Sequence, residues 1–142
     1  MGRDIHDEPA APFFEFTPTE PGWAYVFDKP GHLHQLEAPE FEERGPDHVF
    51  DSGGRLAELA VEDFLVVIKK WSAQPMLELF DMYLRSAASR YMPGADVSRL
   101  GTFELRDRLE EVLRHRQLEK MPFRRLARLV RRIWTAASGR SA

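Results

Sequence analysis

Proline and glycine are spread so unevenly along this chain that they set its fold class before any motif is read. Seven of the ten prolines and six of the nine glycines fall within the first 54 residues, which cuts that third into runs suited to short strands and turns. From residue 55 onward the breakers thin out to Pro75, Pro93-Gly94, Gly101, Pro122 and Gly139, and the uninterrupted stretches between them are long enough for helices. An α+β fold follows: a small N-terminal β-hairpin region packed on about four C-terminal α-helices. With 142 residues the chain can bury a core as a single domain without disulfides or a structural metal.

Residues 1–12 are charged or Pro/Ala-rich and read as a mobile tail, followed by an acidic hairpin and loop region over 13–54 and a helical region over 55–137. Phe13-Phe14-Glu15-Phe16 reads as a strand fragment, and Trp23–Phe27, dense in β-favouring side chains, as the best strand. Lys29-Pro30-Gly31-His32 has the composition of a type II turn. It predicts a hairpin in which Phe27 faces His34 and Tyr25 faces Leu36. Residues 37–54 read as loop, with a short strand at His48-Val49-Phe50.

Four helices are expected beyond this point. Leu56, Leu59, Ala60, Phe64, Val67, Ile68 and Trp71 recur at helical spacing, which places Phe64 and Ile68 in the core of a first helix. Pro75 opens a second, with the stripe Leu79, Phe80, Tyr83, Leu84, Ala87 and Tyr91, closed by Pro93-Gly94. Thr102 is positioned as the N-cap of a third, from Phe103 to about Glu119, with Leu105, Leu109, Val112 and Leu113 inward. The fourth starts at Pro122, and residues 138–142 read as a frayed tail.

The chain has no cysteine, so thiolate metal sites, iron–sulfur clusters and cysteine nucleophiles are excluded. The first eight residues are acidic and lack the apolar core of a signal peptide. The longest apolar run, Phe64–Ile68, falls far short of a membrane span, so a cytoplasmic protein is expected. The net charge of −3 conceals a gradient of −9 over residues 1–54, −1 over 55–98 and +7 over 99–142. Such segregation suits either internal pairing or an oppositely charged partner.

The fourth helix carries the clearest candidate site. Phe123, Leu126, Ala127, Val130, Ile133 and Trp134 form one face, while Arg124, Arg125, Arg128, Arg131 and Arg132 crowd the other, and guanidinium groups at that density attract phosphate or carboxylate. His32-x-His34 on a strand would turn two imidazoles to one face, with Glu37, Glu40 and His48 following, yet two histidines without a secure third ligand do not make a metal site. Ser52-Gly53-Gly54-Arg55 lacks the lysine and spacing of a phosphate loop and reads as a hinge. Phe13, Phe14, Phe16 and Trp23 are candidates for a partner-binding patch but better suited to the core. No acid–base pair or nucleophile constellation is present, and neither a catalytic role nor a cofactor is expected. The leading expectation is a non-enzymatic protein acting through protein–protein contact, as an assembly subunit, adaptor or neutralising partner. A nucleic-acid-binding accessory protein using the Arg-rich helix comes second, a metal-binding module or metal-dependent enzyme at His32 and His34 third, and a membrane surface is the least supported partner.

Overall fold

Phe13-Phe14-Glu15-Phe16 shows no clean alternation of apolar and polar residues because it is covered on both faces, and all four side chains are buried. In the computed structural model, which describes residues 8–119, this strand, β1 (Phe13–Phe16), is the centre of a three-stranded antiparallel sheet. It is flanked by β2 (Ala24–Phe27) and β3 (His48–Phe50), in the order β2-β1-β3. Successive side chains of a strand point to opposite faces, and the register sorts them: Phe14 lies opposite Val26 and Phe50, and Glu15 opposite Tyr25 and Val49. One face therefore offers Phe14, Phe16, Ala24, Val26 and Phe50 to the helices. The other offers Phe13, Phe27 and Val49 to a second layer.

The helical layer consists of α2 (Leu77–Tyr91) and α3 (Thr102–Glu119). Their stripes fall where the sequence places them except at Val112, with Phe80, Leu84, Ala87 and Ala88 from α2 and Leu105, Leu109 and Leu113 from α3 fully buried against the sheet. Val112, expected inward, is only half-buried and lies beside Glu111, His115 and Arg116. Thr102 begins α3 but does not cap it; its hydroxyl donates to Asp81 Oδ1 at 2.7 Å. Arg85 binds the same carboxylate and donates to the carbonyls of Val97 and Leu100, which fixes the connection between the helices. Arg85, with Thr102 assisting, holds the Asp81 carboxyl below its ordinary range.

The other layer overturns the first expected helix. Residues 56–71 form a β-hairpin, β4 (Ala57–Glu62) and β5 (Leu65–Trp71). The helical spacing arises from a two-residue period broken twice. Ala57, Leu59 and Val61 face the core from β4; the turn at Asp63-Phe64 resets the phase, so Val66 and Ile68 face it from β5. A bulge opposite Glu58/Leu59 then shifts the phase again, bringing Trp71 to the same side. Phe64, assigned to the core by its spacing, sits at the turn.

The hairpin expected across Lys29–His32 is also replaced. His32 N–H does donate to the Lys29 carbonyl at 2.8 Å, but the chain continues through a 3-10 turn, Pro30–His32, and Phe27 pairs with Phe13 instead of His34. The outer edge of β2 is closed by a side chain: Gln117 of α3 accepts Val26 N–H at 2.8 Å and donates to the Val26 carbonyl at 2.9 Å. A short helix, α1 (Ala38–Arg44), occupies part of the expected 37–54 loop. The fold is thus mixed α+β with two small sheets and three helices among the described residues, not about four, and the fourth expected helix lies outside the residues described. Ala10 is held by Asp51 and Ser52, and Pro12 by the Ser52 hydroxyl; residues 1–7 of the expected tail also lie outside.

Candidate protein-contact surface

The turn between β4 and β5 has only two central residues, Asp63 and Phe64, both with positive φ, 52° and 66°. Such tight turns match the twist of the flanking strands, and Asn-Gly or Asp-Gly supplies them with little strain. Aspartate tolerates the left-handed region; phenylalanine there is an outlier. Phe64 is also 84% exposed, so neither backbone nor burial rewards an aromatic ring at this position.

The ring does not stand alone. Leu65 and Leu36 beside it are about half exposed, and the 36–38 segment is fastened to the hairpin by Val66 N–H donating to the Leu36 carbonyl at 2.9 Å and Ala38 N–H donating to the Phe64 carbonyl at 3.0 Å. The result is an apolar knob on a hydrogen-bonded base, bordered by the carboxylates of Glu37, Glu62 and Asp63.

The base is pinned by a buried polar cluster that the sequence pattern does not reveal. Glu15, fully buried on the hairpin-facing side of β1, accepts His34 N–H at 2.8 Å and Gln35 N–H at 2.9 Å through its two oxygens. Burial, and then the hydrogen bond it shares with Asp47, push its carboxyl up to about 9, so it is neutral at physiological pH and can donate to Asp47. Gln35 completes the cluster by accepting Asp47 N–H and donating to the Gly45 carbonyl. A carboxyl closed off from solvent cannot meet a substrate; its work is to tie residues 34–47 to the sheet.

The residues singled out from the sequence are dispersed. Arg124, Arg125, Arg128, Arg131 and Arg132 lie outside the described residues. His32 and His34 are exposed, on and just after the 3-10 turn, with His34 against Trp23 and Tyr25 at ring distances of 4.8 and 5.2 Å. Among the described residues no group of three or more His, Asp or Glu is placed to hold a metal ion. His48 Nδ1 instead meets the Tyr83 hydroxyl at 2.5 Å; burial lowers the histidine and raises the tyrosine from their ordinary values, leaving a neutral bond between β3 and α2. Phe13, Phe14 and Phe16 are core.

The 52–55 segment is a tied loop and not a hinge. Asp51 Oδ1 accepts the amides of Gly53 and Arg55, Arg106 donates to the Ser52 carbonyl, and Gly54, at φ 91°, lies so close to Leu77 and Phe80 that a Cβ would meet them at 3.0 and 3.2 Å. A second apolar surface, an open groove of about 700 Å³, runs along the start of α2 between Pro75 and Met82. It shares Met82 with a smaller slot of about 260 Å³ between Trp23, Phe16 and Tyr83. Neither carries convergent polar groups of the kind a small-molecule site uses.

No helix among the described residues is long and apolar enough to cross a membrane. The chain matches no known protein family, no curated protein and no solved structure.

Proposed function

We propose that this chain is a non-enzymatic protein-binding domain of the cytoplasm, an assembly subunit, adaptor or neutralising partner, that grips its partner with the tip of the β4–β5 hairpin. One observation carries the reading: Phe64 is at once strained, at φ 66°, and exposed. Outliers of this sort persist where a function rewards them, and an exposed aromatic on a rigid base is the kind of anchor that dominates protein interfaces. The polar groups argue the same way, because Glu15, Asp47, Gln35, His48 and Tyr83 all satisfy one another or the backbone inside the fold.

The test is affinity capture from the native cell extract with the wild type and Phe64→Ser, each with and without nuclease. A protein set that survives nuclease and is lost with Phe64→Ser is the expected result. The same set retained by the variant would overturn the reading, and capture abolished by nuclease would favour nucleic acid bound through Arg124, Arg125, Arg128, Arg131 and Arg132.

A further inference from the structure

We infer that the surface the hairpin tip fits is basic: an apolar pocket on a protein partner bordered by Lys and Arg side chains. The inference rests on the reading of the tip as a contact site and concerns the chemistry of what it contacts.

The apolar knob emerges from an acidic surround. Glu37 bridges to Leu65, Glu62 pairs with Leu65 in the hairpin register, and Asp63 occupies the turn itself. Over residues 36–44 and 57–71, which build this layer, seven carboxylates face three cations, a net charge of −4. Two of those cations are already engaged, Arg44 by Glu40 and Lys69 by Glu62. Glu37 and Asp63, both exposed, have no ion-pair partner among the described residues.

Each alternative occupant meets a specific cost. A second copy presenting the same tip would bring like charges together, and an acidic or neutral protein surface would desolvate Glu37 and Asp63 without compensation. Nucleic acid and anionic lipid are repelled outright. A cationic rim, by contrast, is steered in by the acidic field and pairs with the free carboxylates while Phe64 and Leu65 enter the pocket. The protruding shape, two residues at the end of a narrow hairpin, calls for a pocket and not a flat face.

A random peptide library displayed on phage tests this directly, panned on the immobilised full chain with soluble Phe64→Ser as competitor. Synthetic versions of the enriched peptides are then titrated against wild type, Phe64→Ser and a Glu37→Gln/Asp63→Asn double variant at low and high salt, with circular dichroism confirming that each variant is folded. The expected peptides combine an aliphatic or aromatic pair with Lys or Arg. They lose at least about tenfold in affinity with Phe64→Ser, lose about three- to tenfold with the double variant, and weaken as salt rises. Peptides that require Phe64 but carry no cationic bias, or that ignore the double variant, would overturn the basic partner and leave the tip as a contact site. Enriched peptides indifferent to Phe64, or none at all, would overturn both.

Discussion

Glu15 is a residue whose place the local sequence does not disclose, although its phenylalanine neighbours are assigned to the core. In Phe13–Phe16 a single glutamate among phenylalanines looks like the solvent-facing position of a half-buried strand, yet β1 has no solvent face. Nothing local announces this; the layer that covers Glu15 comes from residues 33–47, and its bond partners are mostly backbone amides that carry no sequence signature. The consequence is measurable. Because folding raises the Glu15 carboxyl to about 9 from an ordinary 4.5, the folded state holds a proton that the unfolded chain releases between those values. Its contribution to stability is therefore fully present below about pH 4.5 and is lost as pH rises toward 9. Denaturant midpoints measured from pH 5 to 9 should fall for the wild type and fall less for Glu15→Gln. At pH 5 the variant should be weaker by about 1–3 kcal/mol, because the carboxyl accepts from His34 and Gln35 through two different oxygens and the amide turns an NH2 group toward one of those N–H donors. Equal pH slopes for the two proteins would show that Glu15 does not hold that proton.

At the level of elements, the two long helices were legible because an unbroken apolar stripe of period 3.6 suits little besides a helix packed on one side. The β4–β5 hairpin was not, since its turn and bulge shift a period of two into a fair imitation of helical spacing. The usable signal was the β-branched run Val66-Val67-Ile68, which favours a strand. α1 was hidden among Pro39, Gly45 and Pro46 in a stretch too acidic to show an apolar face, and the contact tip has no motif. This geometry separates two phenylalanines that spacing alone places alike on apolar helix faces. Phe80→Ala, deep between the helices and the sheet, should cost about 3–5 kcal/mol, whereas Phe64→Ala should be nearly neutral in thermal or chemical melts. Phe64→Gly should raise stability by about 0.5–1 kcal/mol, the relief of left-handed strain outweighing the entropy glycine adds to the unfolded chain, while abolishing partner capture. A destabilising Phe64→Gly would mean that the ring supports the fold. Gln117→Ala, which strips both partners from Val26, should lower stability by about 1–2 kcal/mol. Gln117→Glu, whose carboxylate can accept from the Val26 N–H but cannot donate to the Val26 carbonyl, should not restore it.

Across the whole molecule the charge gradient is partly answered inside the fold. Asp28 meets Arg114 at 2.7 Å and Glu20 meets Arg90 at 3.4 Å, so the acidic N-terminal third does touch arginines of α2 and α3, although the charges of those two helices sum to only 0 and −1. Both pairs are largely exposed and each is worth at most about 1 kcal/mol. The layers are held by apolar burial, and raising the salt concentration should move the melting temperature little. Near physiological salt the wild type should show no tight binding to duplex or single-stranded nucleic acid. Micromolar or stronger affinity by fluorescence anisotropy, lost on charge reversal at Arg124, Arg128 and Arg131 with the fold intact, would instead assign the Arg-rich segment to nucleic acid. The position of β1 has a further consequence for how the molecule is made. Among the described elements the strand at the centre of the sheet is the first to be synthesised and the helix that lies over that sheet and closes its edge is the last, with Val26 and Gln117 separated by 91 residues. At about 5–20 residues per second on the ribosome, Phe14 and Phe16 wait several seconds for their cover, and in that interval a newborn chain displays an apolar strand that chaperones can bind.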